Sequence, residues 1–285
     1  MDLGLHGKAI LVIGASAGLG KAVAEVLAEE GADLFLVARR AEALEKVAGS
    51  LGGAGASQTG RKICRAAGAE AGGALGGRVA WRAADVAEPG EAEAAVAAAA
   101  EWAGRLDGVA VIAGPMGPRG PLHEQDDAAW DFYYQAGLMA AVRTLRAAVP
   151  HLVSRGGGSV VTTAAYSIRS PKPDMAHYSA MKSAVASLTK NVAKSYGPQG
   201  IRANCVAPGL LDTIDDDKRA ALAARYGVGP ADALYTHGTT GHGLSIALGR
   251  AGSPREAAEL VAFLLSERAA YLTGATINID GGTDF

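Results

Sequence analysis

Tyr178 and Lys182 stand four residues apart in the run Tyr178-Ser179-Ala180-Met181-Lys182. On a helix that spacing puts both side chains on one face. A free phenol titrates near ~10, too high for easy proton exchange at neutral pH. A neighbouring ammonium favours the phenolate and lowers that value. The pair therefore reads as a proton donor or acceptor, Tyr178, with its activator, Lys182. The same spacing occurs in many helices without chemical purpose, so its meaning depends on what the rest of the chain positions around it.

A second run, Gly14-Ala15-Ser16-Ala17-Gly18-Leu19-Gly20, lies between an apolar stretch at 9–13 and a helical stretch at 21–30. Gly14, Gly18 and Gly20 permit a tight turn and close backbone approach. The free amides of the turn and helix start, from Ser16 to Leu19, can then hold a pyrophosphate. After the next apolar stretch comes Val37-Ala38-Arg39-Arg40. An acid there would bind the ribose 2′-hydroxyl of NAD and repel a 2′-phosphate. Arg39 and Arg40 instead offer guanidinium groups suited to phosphate, which favours NADP(H) over NAD(H). The structural alternative is a solvated helix start.

The elements needed to position these runs are legible as an alternation. Strands are expected at 9–13, 33–38, 79–82, 108–112, 158–163 and 201–206, and helices at 21–30, 41–47, 91–103, 128–153 and 175–196. Buried apolar strands alternating with helices call for a parallel sheet covered on both faces. Right-handed crossovers make it a doubly wound, Rossmann-like α/β fold, expected as one domain over 1–285. Two stretches depart from the rhythm. Residues 50–77 are Gly- and Ala-rich and read as a surface insertion. Residues 210–249 form a long connection with a short helix near 218–226, placed to cover a ligand.

Composition narrows the classes. With 49% apolar and 20% charged residues and a net charge of -2, the chain can build a sizeable core and lacks the clustered positive face that nucleic acid requires. No apolar run reaches the ~18 residues of a membrane span. Met1-Asp2-Leu3-Gly4 does not read as a signal peptide, and Cys64 and Cys205 have no metal-like spacing, so reduced thiols and a cytoplasmic location are expected.

In its glycine spacing, its Tyr178/Lys182 pair and the order of its strands, the chain resembles the short-chain dehydrogenase/reductase family. The resemblance covers essentially the whole length apart from 50–77 and 210–249. It implies that Lys182 also holds the nicotinamide ribose and that Asp85-Val86 contacts adenine. It further implies that Ala113-Gly114, in Val111-Ile112-Ala113-Gly114, lies along the cofactor. Pro208-Gly209 would be the family's cofactor-binding turn after the strand at 201–206, with Thr213 suited to the nicotinamide amide, and 277–282 would be the last strand.

Departures from the family pattern are concentrated at the site. Ile13 replaces the usual Thr before the first glycine. Counting back about thirteen residues from Tyr178, Ala165 replaces the Ser that polarises the substrate carbonyl, and Gly137 replaces the Asn that anchors a water. Loss of one such donor typically costs ~2.7–4 kcal/mol of barrier. Thr163, Tyr166 and Ser167 flank the vacant position; a Tyr near 166 resembles the enoyl and dienoyl thioester reductases of the superfamily. Tyr166 and Ser167 are therefore added to Tyr178 and Lys182 as candidates. His177 is expected at the surface. His237 and His242 lie in the lid without a third ligand, so no metal site is expected, and Asp215-Asp216-Asp217 reads as a helix cap.

The resulting expectation is an NADP(H)-dependent oxidoreductase acting on a carbonyl, an alcohol or an activated alkene of a mostly apolar small molecule. The alternatives are non-redox elimination or cyclisation, or a nucleotide-binding partner subunit without catalysis. The family resemblance implies a homodimer or homotetramer built through 128–153 and 175–196, with the terminal strand ending at Phe285 as a second interface. NADPH should bind more tightly than NADH, and Arg39→Asp should erase or reverse that preference; calorimetry in which the wild type binds both equally would overturn the assignment.

Overall fold

Five consecutive apolar residues, Ala9 to Ile13, leave no polar face for solvent, and all five are buried as strand β1 (Ala9–Ile13). The computed structural model describes residues 2–52, 76–114 and 116–283. Six further strands follow: β2 (Asp33–Ala38), β3 (Val79–Ala83), β4 (Gly108–Val111), β5 (Gly158–Thr163), β6 (Ile201–Pro208) and β7 (Thr276–Ile279). They form one sheet in the order β3-β2-β1-β4-β5-β6-β7, parallel throughout. The order reverses between β1 and β4, where Ile13 lies level with Val37 on one side and Val111 on the other. A crevice opens beyond the carboxyl ends of the strands at such a reversal, which is where doubly wound sheets bind ligands.

The helices are α1 (Gly18–Glu29), α2 (Ala41–Ser50), α3 (Glu91–Ala103), α4 (Asp127–Tyr133), α5 (Ala140–Ser154), α6 (Ala176–Tyr196), α7 (Asp216–Tyr226), α8 (Ala233–Thr236) and α9 (Pro254–Leu265). Alternate residues of β1 serve opposite faces, as a strand's two-residue period requires. Ile10 and Val12 join α1, α2 and α9 in one core, whereas Leu11 and Ile13 join α3, α5 and α6 in the other. Among the described residues no helix is long and apolar enough to cross a membrane.

Two expected elements are refined. The single helix anticipated at 128–153 is interrupted: α4 and α5 are joined by a π-helical turn, Tyr134–Met139. Buried Arg143 stabilises that turn by donating to Gln135 Oε1 at 2.9 Å and to the Ala87 carbonyl. The stretch at 210–249 is more ordered than its composition implies. Leu222, Ala233 and Leu234 form a small core with Leu210, Ile214 and Tyr226. Asp215 accepts from the Lys218 amide at 2.8 Å, capping α7 as its run of acids predicted. The expected insertion at 50–77 falls mostly outside the described residues, as does Phe285.

The edge strand β7 is tied to β6 by a buried amide. Asn204 donates from Nδ2 to the Leu272 carbonyl at 2.8 Å and accepts from the Ala275 N–H at 3.2 Å, with no exposure of its own. Asn204→Ala leaves both backbone groups without partners, so it should destabilise the protein by ~2–4 kcal/mol. Urea unfolding would register this as a lower midpoint, and an unchanged midpoint would show that the tether is dispensable.

Candidate active site

Gly14 and Ala15 donate to the Val37 carbonyl at 2.7 and 3.2 Å, folding the turn back onto the sheet. Helix α1 then starts behind Ala17, whose side chain offers no cap, so its first amides stay available to an anion. A Cβ on Gly20 would lie 2.1 Å from the Gly14 oxygen; only glycine allows the helix so close to the turn. These features fit a dinucleotide pyrophosphate. Ser16 and Leu19 are half-buried on the same turn.

Other sequence-predicted positions converge here. A Cβ on Gly14 would sit 3.0 Å from the Ala113 nitrogen, and one on Gly18 would sit 3.3 Å from Thr213 Cγ2. The glycine turn thus touches both the end of β4 and the start of the long connection. Pro208 ends β6, and Gly209 donates to the Ile279 carbonyl at 3.0 Å. Asp85 accepts from the Ala87 amide at 3.1 Å, and Val86 is buried. Arg39 and Arg40 are exposed just past β2, and among the described residues neither pairs with a carboxylate.

Lys182 is the polar centre of the crevice. It is 3% exposed, and its Nζ donates to the Thr163 carbonyl at 2.9 Å while lying 5.9 Å from the centroid of the Tyr178 ring. Gly114, with φ of +151°, makes room for it, since a Cβ there would meet Nζ at 2.5 Å. Burial pushes the Lys182 ammonium down to about 8. Burial likewise pushes the Tyr178 phenol up to about 12, helped by Tyr133 and Tyr166 and opposed by Arg119. This reverses the expectation of a phenolate made easy by Lys182. With Nζ engaged by a carbonyl and not by the phenol, desolvation outweighs attraction, and Tyr178 holds its proton.

Around this centre the structure sorts the remaining candidates. Ala165 is buried, and Ser167 is 1% exposed with a sealed hydroxyl lacking a hydrogen-bond partner among the described residues. Tyr166 is half-buried; burial raises its pKa and Arg119 opposes the rise, so it shares the electrostatic surroundings of Tyr178. Gly137 falls in the π-helical turn, where an added Cβ would make ordinary contact with Met181 Cβ at 3.5 Å.

His177 corrects a second expectation. It is not at the surface but fully buried, its ring 4.3 Å from that of Tyr133 and 5.8 Å from that of Trp130. Its Nδ1 accepts from the Tyr178 amide at 2.9 Å, and burial lowers its pKa against the opposing pull of Asp174. Helix α4 covers this side of α6, which the period of α6 alone could not reveal. In the long connection, His237 Nδ1 lies 2.9 Å from Tyr226 Oη and its Nε2 3.2 Å from His242 Nε2. Among the described residues no group of three metal-binding side chains occurs.

Two site residues went unnoticed in the sequence. Tyr133 packs its ring edge-on to Tyr178 at 5.7 Å, and its hydroxyl accepts from Gly117 at 2.7 Å and donates to the Pro118 carbonyl at 3.1 Å. Arg119 acts on the phenols of Tyr178 and Tyr166 from the segment so held. Position five residues beyond Gly114 was the available signal for Arg119.

The architecture has parallels among known proteins. A family model described as Enoyl-(Acyl carrier protein) reductase matches residues 55–284, and one described as short chain dehydrogenase matches 8–67. The chain belongs to the short-chain dehydrogenase/reductase family. It is similar to a cis-4-hydroxycyclohexanecarboxylate dehydrogenase of Sinomonas cyclohexanicum, at 32% identity over 95% of this chain and 94% of that one. It is also similar to the dehydrogenase/reductase SDR family member 4 of Sus scrofa, at 30% identity over 98% and 88%. An L-sorbose reductase from Gluconobacter frateurii, solved with NADPH and L-sorbose, superposes with a TM-score of 0.81 at 31% identity, covering 99% and 98% of the two chains. The chain is thus a short-chain dehydrogenase/reductase enzyme with a seven-stranded parallel sheet.

The buried ammonium has a thermodynamic consequence. The unfolded chain holds the Lys182 proton up to about 10.5, the folded chain only to about 8. Between those values the unfolded state binds more protons, so stability rises with pH across that window; below 8 the cost of the buried charge is fully present. Lys182→Met should therefore stabilise the ligand-free protein at pH 7 by roughly 2–3 kcal/mol, with the gain shrinking toward pH 10.5. Thermal melts over this range would check it, and a pH-independent difference would sink the account.

Proposed function

We propose that this enzyme uses NADP(H) to interconvert a carbonyl and an alcohol on a mostly apolar small molecule, with Tyr178 as proton donor or acceptor and Lys182 as its positioning partner. The observation that carries this reading is the Tyr178–Lys182–Thr163 constellation at the carboxyl edge of the sheet, beside a glycine turn suited to pyrophosphate. A bound nicotinamide supplies hydride chemistry. The chain's residues supply the rest. Amides from Ser16 through Gly20 would hold the phosphates, since those of Gly14 and Ala15 are taken by the Val37 carbonyl; Asp85 and Val86 would flank the adenine, and Arg39 and Arg40 would favour the 2′-phosphate. Ala113, Gly114, Pro208, Gly209 and Thr213 border the nicotinamide half. The NADPH bound to the similar L-sorbose reductase supports the same cofactor.

A phenol held at about 12 is protonated at neutral pH, which suits donation to a developing alkoxide in the direction of reduction. Lys182, once bound to ribose and phenol as well as Thr163, would draw that value down. With Ala165 unable to polarise a carbonyl, Tyr166 is the preferred second donor, because the Ser167 hydroxyl is sealed away from the crevice. The same tyrosine favours a second reading, reduction of an activated alkene, in line with the description of the family model over 55–284. Non-redox chemistry or a silent partner role gains no specific support from the geometry. Assembly as a homodimer or homotetramer through α4, α5 and α6, and a cytoplasmic location, belong to the same proposal.

Tyr178→Phe should abolish NADPH-dependent turnover across a ketone and enoyl panel while leaving NADPH affinity within about twofold of wild type. Tyr166→Phe should lower kcat by ~10²-fold or more, and Ser167→Ala by far less. Retention of turnover in Tyr178→Phe would exclude the mechanism.

A further inference from the structure

Arg119 is held in place without being used up. Its backbone neighbours are fixed on both sides: Gly117 and Pro118 by the Tyr133 hydroxyl, and Gly120 by its N–H donating to the Asp174 carbonyl at 3.1 Å. Its guanidinium makes no hydrogen bond among the described residues, and its carboxylate partner, Asp174, stands 3.8 Å away. Five other arginines, Arg78, Arg105, Arg146, Arg250 and Arg255, show what a closed pair looks like, each approaching a carboxylate to 2.6 Å, whereas Arg82 and Arg155 stand off at 3.7 and 3.5 Å. Arg119 is thus anchored, and its fork is open.

The segment that carries Arg119 lies beside Tyr178: Tyr133, whose hydroxyl holds Gly117 and Pro118, packs 5.7 Å from the Tyr178 ring, and Asp174, which holds Gly120, stands just before α6. The pKa of the Tyr166 phenol, raised by burial, is pulled back by Arg119 and pushed up again by Asp174, whereas Tyr178 is acted on by Arg119 without Asp174. His237, in the π-helical turn after α8, is lowered by burial first, then by His242, Arg225, Lys218 and Arg119. Arg225, Lys218 and Arg119 thus all act on His237, and Asp174 is the countercharge at Arg119.

We propose that Arg119 is the anchor for a carboxylate on the substrate, so that the enzyme acts on keto acids or hydroxy acids whose remaining body is apolar. The inference rests on the oxidoreductase reading above for the identity of the reacting group, but not for the binding of the acid itself. The substrate carboxylate displaces Asp174 from the guanidinium, forming the paired hydrogen bonds that Asp174 at 3.8 Å does not make, and fixes the distance from the acid group to the carbon facing Tyr178. Arg119 acts here as a specificity determinant, with Asp174 as the competing anion.

The experiment titrates the NADPH-loaded protein calorimetrically with cyclohexanecarboxylate and with its methyl ester, then measures reduction of 5-oxohexanoate against its methyl ester. Wild type should bind the acid at least tenfold more tightly than the ester. Arg119→Gln should cut acid affinity about tenfold and lower the acid-to-ester ratio of kcat/KM by a similar factor, chiefly through KM. Arg119→Lys should recover part of the loss, and Asp174→Asn should tighten the acid by removing its competitor. Equal binding of acid and ester, no binding of either, or an acid affinity unmoved in Arg119→Gln would overturn the anchor. Acid binding through Arg119 with no reduction of 5-oxohexanoate or its ester would uphold the anchor while counting against the carbonyl-reduction reading.

Discussion

An ammonium buried to 3% exposure has to be satisfied by something, and here it is satisfied by the last carbonyl of a strand, Thr163, at 2.9 Å. Much of the crevice follows from that requirement. The Thr163 carbonyl can face Lys182 because β5 ends there, so it is free of sheet pairing on that side. Glycine at 114 is needed because a Cβ would collide with Nζ. Tyr178, one turn away on α6, is thereby fixed over the carboxyl end of the sheet. A buried cation is expensive by itself, and its retention at this point marks a position where chemistry outweighs stability.

The surroundings of Tyr178 form a second layer. Tyr133 and His177 wall it with aromatic surface, and the Tyr178 amide is itself bonded to His177. This enclosure desolvates the phenol and accounts for its raised pKa better than any single neighbour. Arg119 is the opposing influence. The site is thus balanced between an apolar wall that holds the proton on and a cation that eases it off, and a bound cofactor would shift that balance through Lys182.

Much of this was legible in the sequence. The run at 9–13 had no choice but burial, and the parallel sheet followed from similar runs separated by helices. The placing of Tyr178 and Lys182 on one face followed from helical geometry. What could not be read depended on tertiary neighbours. Nothing in the period of α6 reveals that α4 lies over His177, so an exposed position was the natural expectation. The sign of the Tyr178 shift depended on where Nζ points, and a carbonyl nineteen residues away settled that. Tyr133 and Arg119 carry no motif, because their roles come from a pair of hydrogen bonds between the helix and the segment after β4. The lid's small core was hidden by a composition that looks loop-like.

The π-helical turn at Tyr134–Met139 sets an angular phase between two halves of one long rod. A π-turn carries one residue more than its α-helical equivalent, and each residue of an α-helix advances the side chains by about 100°. Helix α5 is clocked by its packing against the sheet, so the extra residue alone decides which way α4 faces. With it, Tyr133 points at Tyr178 and at the Gly117–Pro118 backbone. Remove that one residue and the same sequence of side chains would turn about a quarter to a third of the way round the axis, taking the wall away from the phenol. The enclosure of the site is therefore encoded less by which residues α4 contains than by how many lie between it and the core.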